Sequence, residues 1–238
     1  GTLAMVSQWQ YDGMNDLSKR VRDRELELNG GLINSAFCTG DEQTSMQVDY
    51  DCVTIGRVDK EKDPFLLHKL AGKSDLKSLV LTSAYDLLPV QQEYLDKNKH
   101  WGIPKETMFN LKHSEVMDHL SRSGVYLSTC PRETWGITAL EAFARGVPVV
   151  LFRLAANKNK HASEDIAPGP EYFEAITSKS EKDFKLAVDK LLKVDRMELS
   201  QKTKEKHSKE NWIKTLNNLI DKAIENKKKH QKPVSWFD

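Results

Sequence analysis

Between residues 51 and 178, short apolar runs alternate with longer amphipathic ones. The runs "DCVTIG" (51–56), "SLVLTS" (78–83), "TMFNL" (107–111), "VYLST" (125–129), "VPVVLF" (147–152) and "FEAITS" (173–178) read as strands. The stretches "FLLHKLAG" (65–72), "VQQEYLDKNKHW" (90–101), "SEVMDHLSRSG" (114–124) and "GITALEAFARG" (136–146) read as helices. Ser114 is expected to cap the third helix and Gly124 to end it, and Gly146 to close the fourth. Short, continuously apolar strands alternating with helices predict a parallel sheet covered on both faces. Right-handed crossovers then give a doubly wound, Rossmann-like α/β domain over residues 47–195.

The flanks differ. From Asp195 the chain turns long, polar and helical, with Trp212, Leu216, Leu219, Ile220 and Ala223 forming one apolar stripe. The closing "KPVSWFD" puts Val234, Trp236 and Phe237 at the end of a charged helix, where they need a covering surface. Residues 1–46 carry "KRVRDRELE" and a loop, "NGGLINSAF", and suit the end of a neighbouring domain and its linker. The expected division is therefore 1–46, 47–195 and 196–238, read as a truncated or cut chain because no initiator Met is present.

Composition narrows the classes. With 39% hydrophobic and 30% charged residues in 238, the chain reads as soluble and globular. No run approaches the roughly 18 to 20 apolar residues that span a bilayer. Cys38, Cys52 and Cys130 are odd in number and widely spaced, which argues against a disulfide framework or zinc site and fits a reducing cytoplasm. The histidines His68, His100, His113 and His119 are scattered and read as surface or core residues, and no metal site is expected. Net charge is +1, yet residues 200–232 hold ten lysines against four acids.

Two loops fall on the same rim of the predicted sheet, beyond the carboxyl ends of strands, where such sheets bind ligands. In "STCPRETWGITALEAFARGVPVVLF", a strand ends near Thr129 and a helix starts near Gly136. The amides of Gly136, Ile137 and Thr138 lack partners within the helix, and the helix dipole favours an anion there. Gly136, lacking a side chain, would let a phosphate approach; the alternative is a plain strand-to-helix crossover. A helical wheel turns Ile137, Leu140 and Ala144 to the core and leaves Glu141 at the flank. Glu141 has two candidate partners, an ion pair with Arg145 four residues on, or the hydroxyls of a polyol. Glu133 lies in the loop, where simple solvation is the alternative. In "GRVDKEKDP", Gly56, Arg57 and Lys62 end a strand with two cations that can clamp a diphosphate, or form a surface charge cluster.

These stretches, in this order, resemble the C-terminal half of the retaining, GT-B-fold nucleotide-sugar glycosyltransferases with the E-x7-E signature. That family includes sucrose and glycogen synthase-like enzymes and many bacterial sugar transferases. The resemblance covers about residues 50–195 and rests on the Glu133–Glu141 spacing, the Gly after an aromatic, "EAFARGVPVV" and the upstream "GR....K". It implies that Arg57 and Lys62 hold the donor diphosphate beside Gly56. Glu133 would contact the donor sugar and Glu141 the ribose, while the Gly136, Ile137 and Thr138 amides would meet phosphate or sugar. Asn110 and Leu111, in "MFNLK", would meet the base. Thr134 and Trp135 stand where members vary, so donor preference stays open, with a UDP-sugar favoured over GDP- or ADP-sugars.

The implied reaction is sugar transfer to an acceptor hydroxyl with retention, with Arg57, Lys62 and Glu133 as the catalytic residues and no cofactor beyond the nucleotide-sugar. The family's acceptor side belongs to an N-terminal domain, here left to that domain or to a partner chain. The acceptor is open among nucleic acid with modified bases, a glycan and a lipid, with a solvated helix face as the alternative reading of the lysine-rich end. The rival function is a non-catalytic nucleotide-sugar-binding or scaffold subunit of a split assembly.

Overall fold

The computed structural model describes residues 3–5, 30–32, 37–72, 74–100, 102, 105–131, 133, 136–153 and 161–230. Strands β1 (Leu3–Met5) and β2 (Gly30–Leu32) form a two-stranded parallel ladder. Part of the stretch read as a loop is thus a strand; "KRVRDRELE" and the "VSWFD" tail lie outside the described residues.

The main chain then runs β3 (Tyr50–Arg57), α1 (Leu66–Ala71), β4 (Ser78–Ser83), α2 (Pro89–Asn98), β5 (Lys105–Phe109), α3 (His113–Ser121), β6 (Ser123–Ser128), α4 (Ile137–Ala144), β7 (Val149–Phe152), α5 (Ala162–Ile166), β8 (Phe173–Ile176), α6 (Glu181–Leu191), α7 (Arg196–Lys206) and α8 (Lys209–His230). The six strands β3 to β8 pair in parallel in the order β5-β4-β3-β6-β7-β8. This is the doubly wound sheet the sequence pattern predicts, and "SLVLTS" matches β4 to the residue.

Strand residues alternate between two cores. Val53, Leu79, Leu81, Tyr126, Val149 and Leu151 face one side with Leu120, Leu140 and Phe143. Cys52, Val80, Val125, Leu127, Val150 and Phe152 face the other with Leu67, Phe184 and Leu191. Each fully buried Leu or Val stabilises the fold by about 1.5–3 kcal/mol relative to exposure, so burial on both faces favours continuously apolar strands. His68 pins α1 to the sheet through Ser78 Oγ (2.9 Å) and Thr107 Oγ1 (3.1 Å), and burial brings its pKa down to about 4.

Several predicted boundaries move by a residue or more, and for two the cause is plain. Helix α3 begins at His113, because the Glu115 carboxylate reaches back to accept the Lys112 amide at 2.7 Å, and Ser114 falls inside the first turn. Gly124 belongs to β6: a Cβ there would stand 2.4 Å from Leu192 Cδ2 and 2.9 Å from the Asp51 carbonyl. It lets α6 and β3 approach, where the sequence reads a helix stop.

The single C-terminal helix of the prediction is two helices, broken at His207–Ser208. There the Cys38 amide donates to the His207 carbonyl at 2.8 Å, and Cys38 forms a parallel bridge with Ser208. Of the predicted stripe, Leu219 is buried and Trp212 stands 5.6 Å from Phe37, whereas Ile220 is exposed. Helix α7 packs on α4, with Ser200 Oγ donating to the Ala144 carbonyl at 2.6 Å.

Candidate functional site

From the adjacent pair β3 and β6, the chain winds outward in opposite directions. Loops leaving their carboxyl ends therefore diverge and open a crevice. A cleft of about 370 Å³ lies there, with Ile55, Leu81, Val116 and Tyr126 among its lining. Gly56 and Arg57 line it from β3, Asn110 and Leu111 from the loop after β5, Glu133 from the loop after β6, and Thr138 from the first turn of α4. Tyr85, Thr129 and Cys130 join them, none of the three having been named as a site residue from the sequence.

Lys62 is aimed by a tight turn. Asp59 Oδ1 accepts the Lys62 amide at 2.7 Å, the Asp59 carbonyl accepts the Asp63 amide at 2.9 Å, and Thr129 Oγ1 donates to the Lys62 carbonyl. The ammonium then donates to Glu133 Oε2 at 2.8 Å, with 29% and 18% of the two side chains exposed. Burial opposes the Lys62 charge, but the Glu133 hydrogen bond and charge outweigh it and hold the pKa above the ordinary lysine value. Glu133 Oε1 accepts a long bond from the Gly136 amide, 3.4 Å, at the head of α4. So Glu133 is not a solvated loop acid: it joins the lysine to the helix N-terminus. Arg57 is the freer cation, 70% exposed and 3.4 Å from Asp59.

Gly136 has a left-handed φ of 64°, and a Cβ on it would stand 2.4 Å from Ile166 Cδ1. Backbone conformation and packing against α5 both demand glycine there, beyond any need to admit a phosphate. The wheel misplaces Ile137, which is 43% exposed, whereas Leu140 and Ala144 are in the core. An eight-residue helix lying on one core leaves its first turn at the rim.

Glu141 lies one turn beyond Thr138. Of its two candidate partners, Arg145 does not form the side-chain ion pair: its guanidinium donates to the Glu141 carbonyl at 3.1 Å, satisfying a backbone oxygen near the helix end. The carboxylate instead stands 3.5 Å from His113 Nε2, at the start of α3. Ile137, Glu141, His113 and Arg145 line a second cavity of about 270 Å³. Burial raises the Glu141 pKa, partly offset by His113 and Arg145. A carboxyl with a raised folded pKa favours the native state fully below its ordinary value of 4.5, and that contribution is lost as pH rises through the raised value. Glu141→Gln is therefore expected to melt above the wild type at neutral pH, with the gap closing below pH 4.5, as thermal melts across pH will show.

Asn110 ends β5 in the left-handed region at φ 60°, its Oδ1 accepting the Ala84 amide at 2.8 Å. That turn carries Leu111 along the cleft and His113 to Glu141. Thr134 and Trp135 lie outside the described residues. The sequence reading also missed His161, the buried N-cap of α5, which sits behind Cys130. Its local signal was Glu164 three residues on, whose carboxylate accepts the His161 amide at 2.9 Å.

In the lysine-rich end, Lys202 pairs with Glu198 and Glu171, Lys204 donates to the Glu42 carbonyl, and Lys206 donates to carbonyls at the end of α5. These three lysines are engaged within the fold. No helix among the described residues is long and apolar enough to cross a membrane.

A family model, Glycosyl transferases group 1, matches residues 47–210. A comparison with curated protein sequences found no match. Among solved structures, TarM aligns with a TM-score of 0.65 and 18% identity, over 92% of this chain and 43% of that one. Sucrose-phosphate synthase from Thermosynechococcus elongatus gives 0.67 and 14%, over 94% and 59%. The pneumococcal O-GlcNAc transferase GtfA, in complex with UDP and GlcNAc, gives 0.62 and 15%, over 93% and 45%. The chain thus spans about half the length of these structures, and at such identities the likeness is one of fold, the GT-B type. The matched segment takes in the whole six-stranded sheet with Arg57, Lys62, Glu133 and Glu141, and the chain belongs to the Glycosyl transferases group 1 family.

Proposed function

We propose that this chain carries the donor-binding half of a retaining glycosyltransferase that moves a sugar from a nucleotide-diphosphate sugar to an acceptor hydroxyl. The observation that carries this reading is the meeting of Lys62, Glu133 and the head of α4 at the topological switch point of the sheet. Lys62 and Arg57 take the diphosphate. Glu133, released from Lys62, accepts hydrogen bonds from the donor sugar. Glu141 accepts from the ribose, and the base lies along Asn110 and Leu111. A UDP-sugar is favoured, supported by the UDP bound in the structure of GtfA.

Chemistry in this scheme is mainly positioning and charge stabilisation. As the bond from the anomeric carbon to the diphosphate breaks, negative charge grows on the leaving oxygen. Lys62, Arg57 and the α4 amides oppose it, while the acceptor hydroxyl arrives on the same face. The scheme uses no metal. The acceptor side belongs to an N-terminal domain or a partner chain. The setting in this reading is cytoplasmic, in keeping with three widely spaced cysteines, Cys38, Cys52 and Cys130.

Thermal stabilisation by a panel of nucleoside diphosphates and their sugars tests this reading. A ligand at 100 times its Kd stabilises the native state by about 2.7 kcal/mol, a rise in Tm of roughly 5–10 °C for a chain of this size. One base is expected to give that shift, with its nucleotide-sugar giving more than the diphosphate alone. If no member of the panel moves the Tm, the donor site does not exist. Binding without transfer when the acceptor side is supplied favours the non-catalytic subunit.

A further inference from the structure

The loop that carries Glu133 rests on α5 and joins it at three points. His161 Nε2 stands 2.8 Å from the Cys130 carbonyl, the Ala162 amide donates to the Glu133 carbonyl at 3.3 Å, and Ile166 Cδ1 fills the space a Cβ on Gly136 would need. The far end of α5 is also fixed. Lys206 Nζ donates to the Asp165 and Ala167 carbonyls at 2.9 and 2.7 Å, and the His207 ring to the Ile166 carbonyl at 2.7 Å. The short helix is a strut held at both ends.

The His161 ring has one protonation state that satisfies its contacts. The Ser163 amide donates to Nδ1 at 3.3 Å, so Nδ1 carries no proton and Nε2–H donates to Cys130. The residue is only 4% exposed, and burial lowers its pKa, so the ring stays neutral. A ring locked in this way is suited to holding the loop and not to moving protons.

We propose that His161 is the positioning residue for Glu133. By tying the Cys130 carbonyl to the head of α5, it sets where the Glu133 carboxylate stands relative to Lys62. It thereby governs contact with the donor sugar and leaves the diphosphate contacts of Arg57 and Lys62 alone. This rests on the reading of Glu133 as the sugar-contacting acid.

His161→Asn separates this role from helix capping. Asparagine is a good N-cap and can accept the Ser163 amide, but its shorter side chain stops short of Cys130. The variant is compared with the wild type, full chain, by hydrogen exchange and by titration with UDP, UDP-glucose, GDP and GDP-mannose. Faster exchange of the Cys130, Glu133 and Gly136 amides is expected, with little change in Tm and diphosphate affinity kept within about twofold. The extra affinity of the nucleotide-sugar over its diphosphate is expected to fall about tenfold, the worth of one hydrogen bond to a charged group. His161→Gln, long enough to reach Cys130, recovers both properties and serves if the asparagine variant does not fold. Unchanged loop exchange, or an unchanged sugar increment, overturns the proposal, as does an equal loss of diphosphate and sugar affinity. If the wild type binds none of the four ligands, the donor-site reading fails instead, and the exchange measurement still decides whether the tether exists.

Discussion

Lys62→Ala is expected to abolish most of the affinity for nucleoside diphosphates and to slow sugar transfer by about 10²- to 10³-fold, the usual cost of removing one preorganised group that opposes developing negative charge. Three facts set this expectation. The ammonium lies in the cleft, the Asp59 turn and Thr129 fix its backbone, and the Glu133 hydrogen bond keeps it charged. The substitution leaves Glu133 without its cation, yet that carboxylate keeps 18% exposure and the Gly136 amide, so stability should fall by only about 1 kcal/mol. The discriminating measurement is the contrast between ligands: a nucleoside without phosphates should bind the variant as it binds the wild type. If diphosphate and nucleoside lose affinity equally, the lysine supports the loop and does not hold the phosphates.

Gly136→Ala is expected to be the most damaging small substitution in the site. A left-handed φ of 64° costs an alanine about 1–2 kcal/mol. The added methyl also falls 2.4 Å from Ile166 Cδ1, so this buried side-chain end must shift, and overpacking of that kind costs about 1–3 kcal/mol. A total near 3 kcal/mol corresponds to a Tm loss of roughly 6–12 °C for a chain of this length. Relief by moving α5 away from the head of α4 would drag the Glu133 loop with it, through the Ala162 amide and His161. Donor affinity should therefore fall along with Tm. Calorimetry and titration on one sample check both, and a variant that melts like the wild type would mean that the glycine is conformationally idle.

Much of this was legible in the sequence, for a specific reason. Buried parallel strands are continuous apolar runs, so "SLVLTS" and "VPVVLF" stand out, and their alternation with helices fixes a doubly wound topology. The cleft loops were legible because Arg57, Lys62 and Glu133 follow strand ends on one rim, whereas Glu141, one turn into α4, lines a second cavity. What stayed hidden depends on partners distant in sequence. Glu141 meets His113 from another helix, and no feature of "EAFAR" announces that Arg145 will turn to a carbonyl. His161 acts on Cys130, 31 residues earlier. The break at His207 carries no Pro or Gly; it comes from Cys38 and the α5 carbonyls. Ser114 misled because a neighbouring local cap, Glu115 on the Lys112 amide, wins, and Gly124 because the close approach of Leu192 and Asp51, not a helix stop, requires it.

We propose that Lys62 exchanges one anion for another, leaving Glu133 for the donor diphosphate. The direct measurement is a crystal structure of the chain with the nucleoside diphosphate that stabilises it most. The prediction is that the Lys62 ammonium has left Glu133 for a phosphate oxygen, with Arg57 and the head of α4 on the same diphosphate and Glu133 turned toward the space for the sugar. A diphosphate bound elsewhere, with Lys62 still on Glu133, would contradict it.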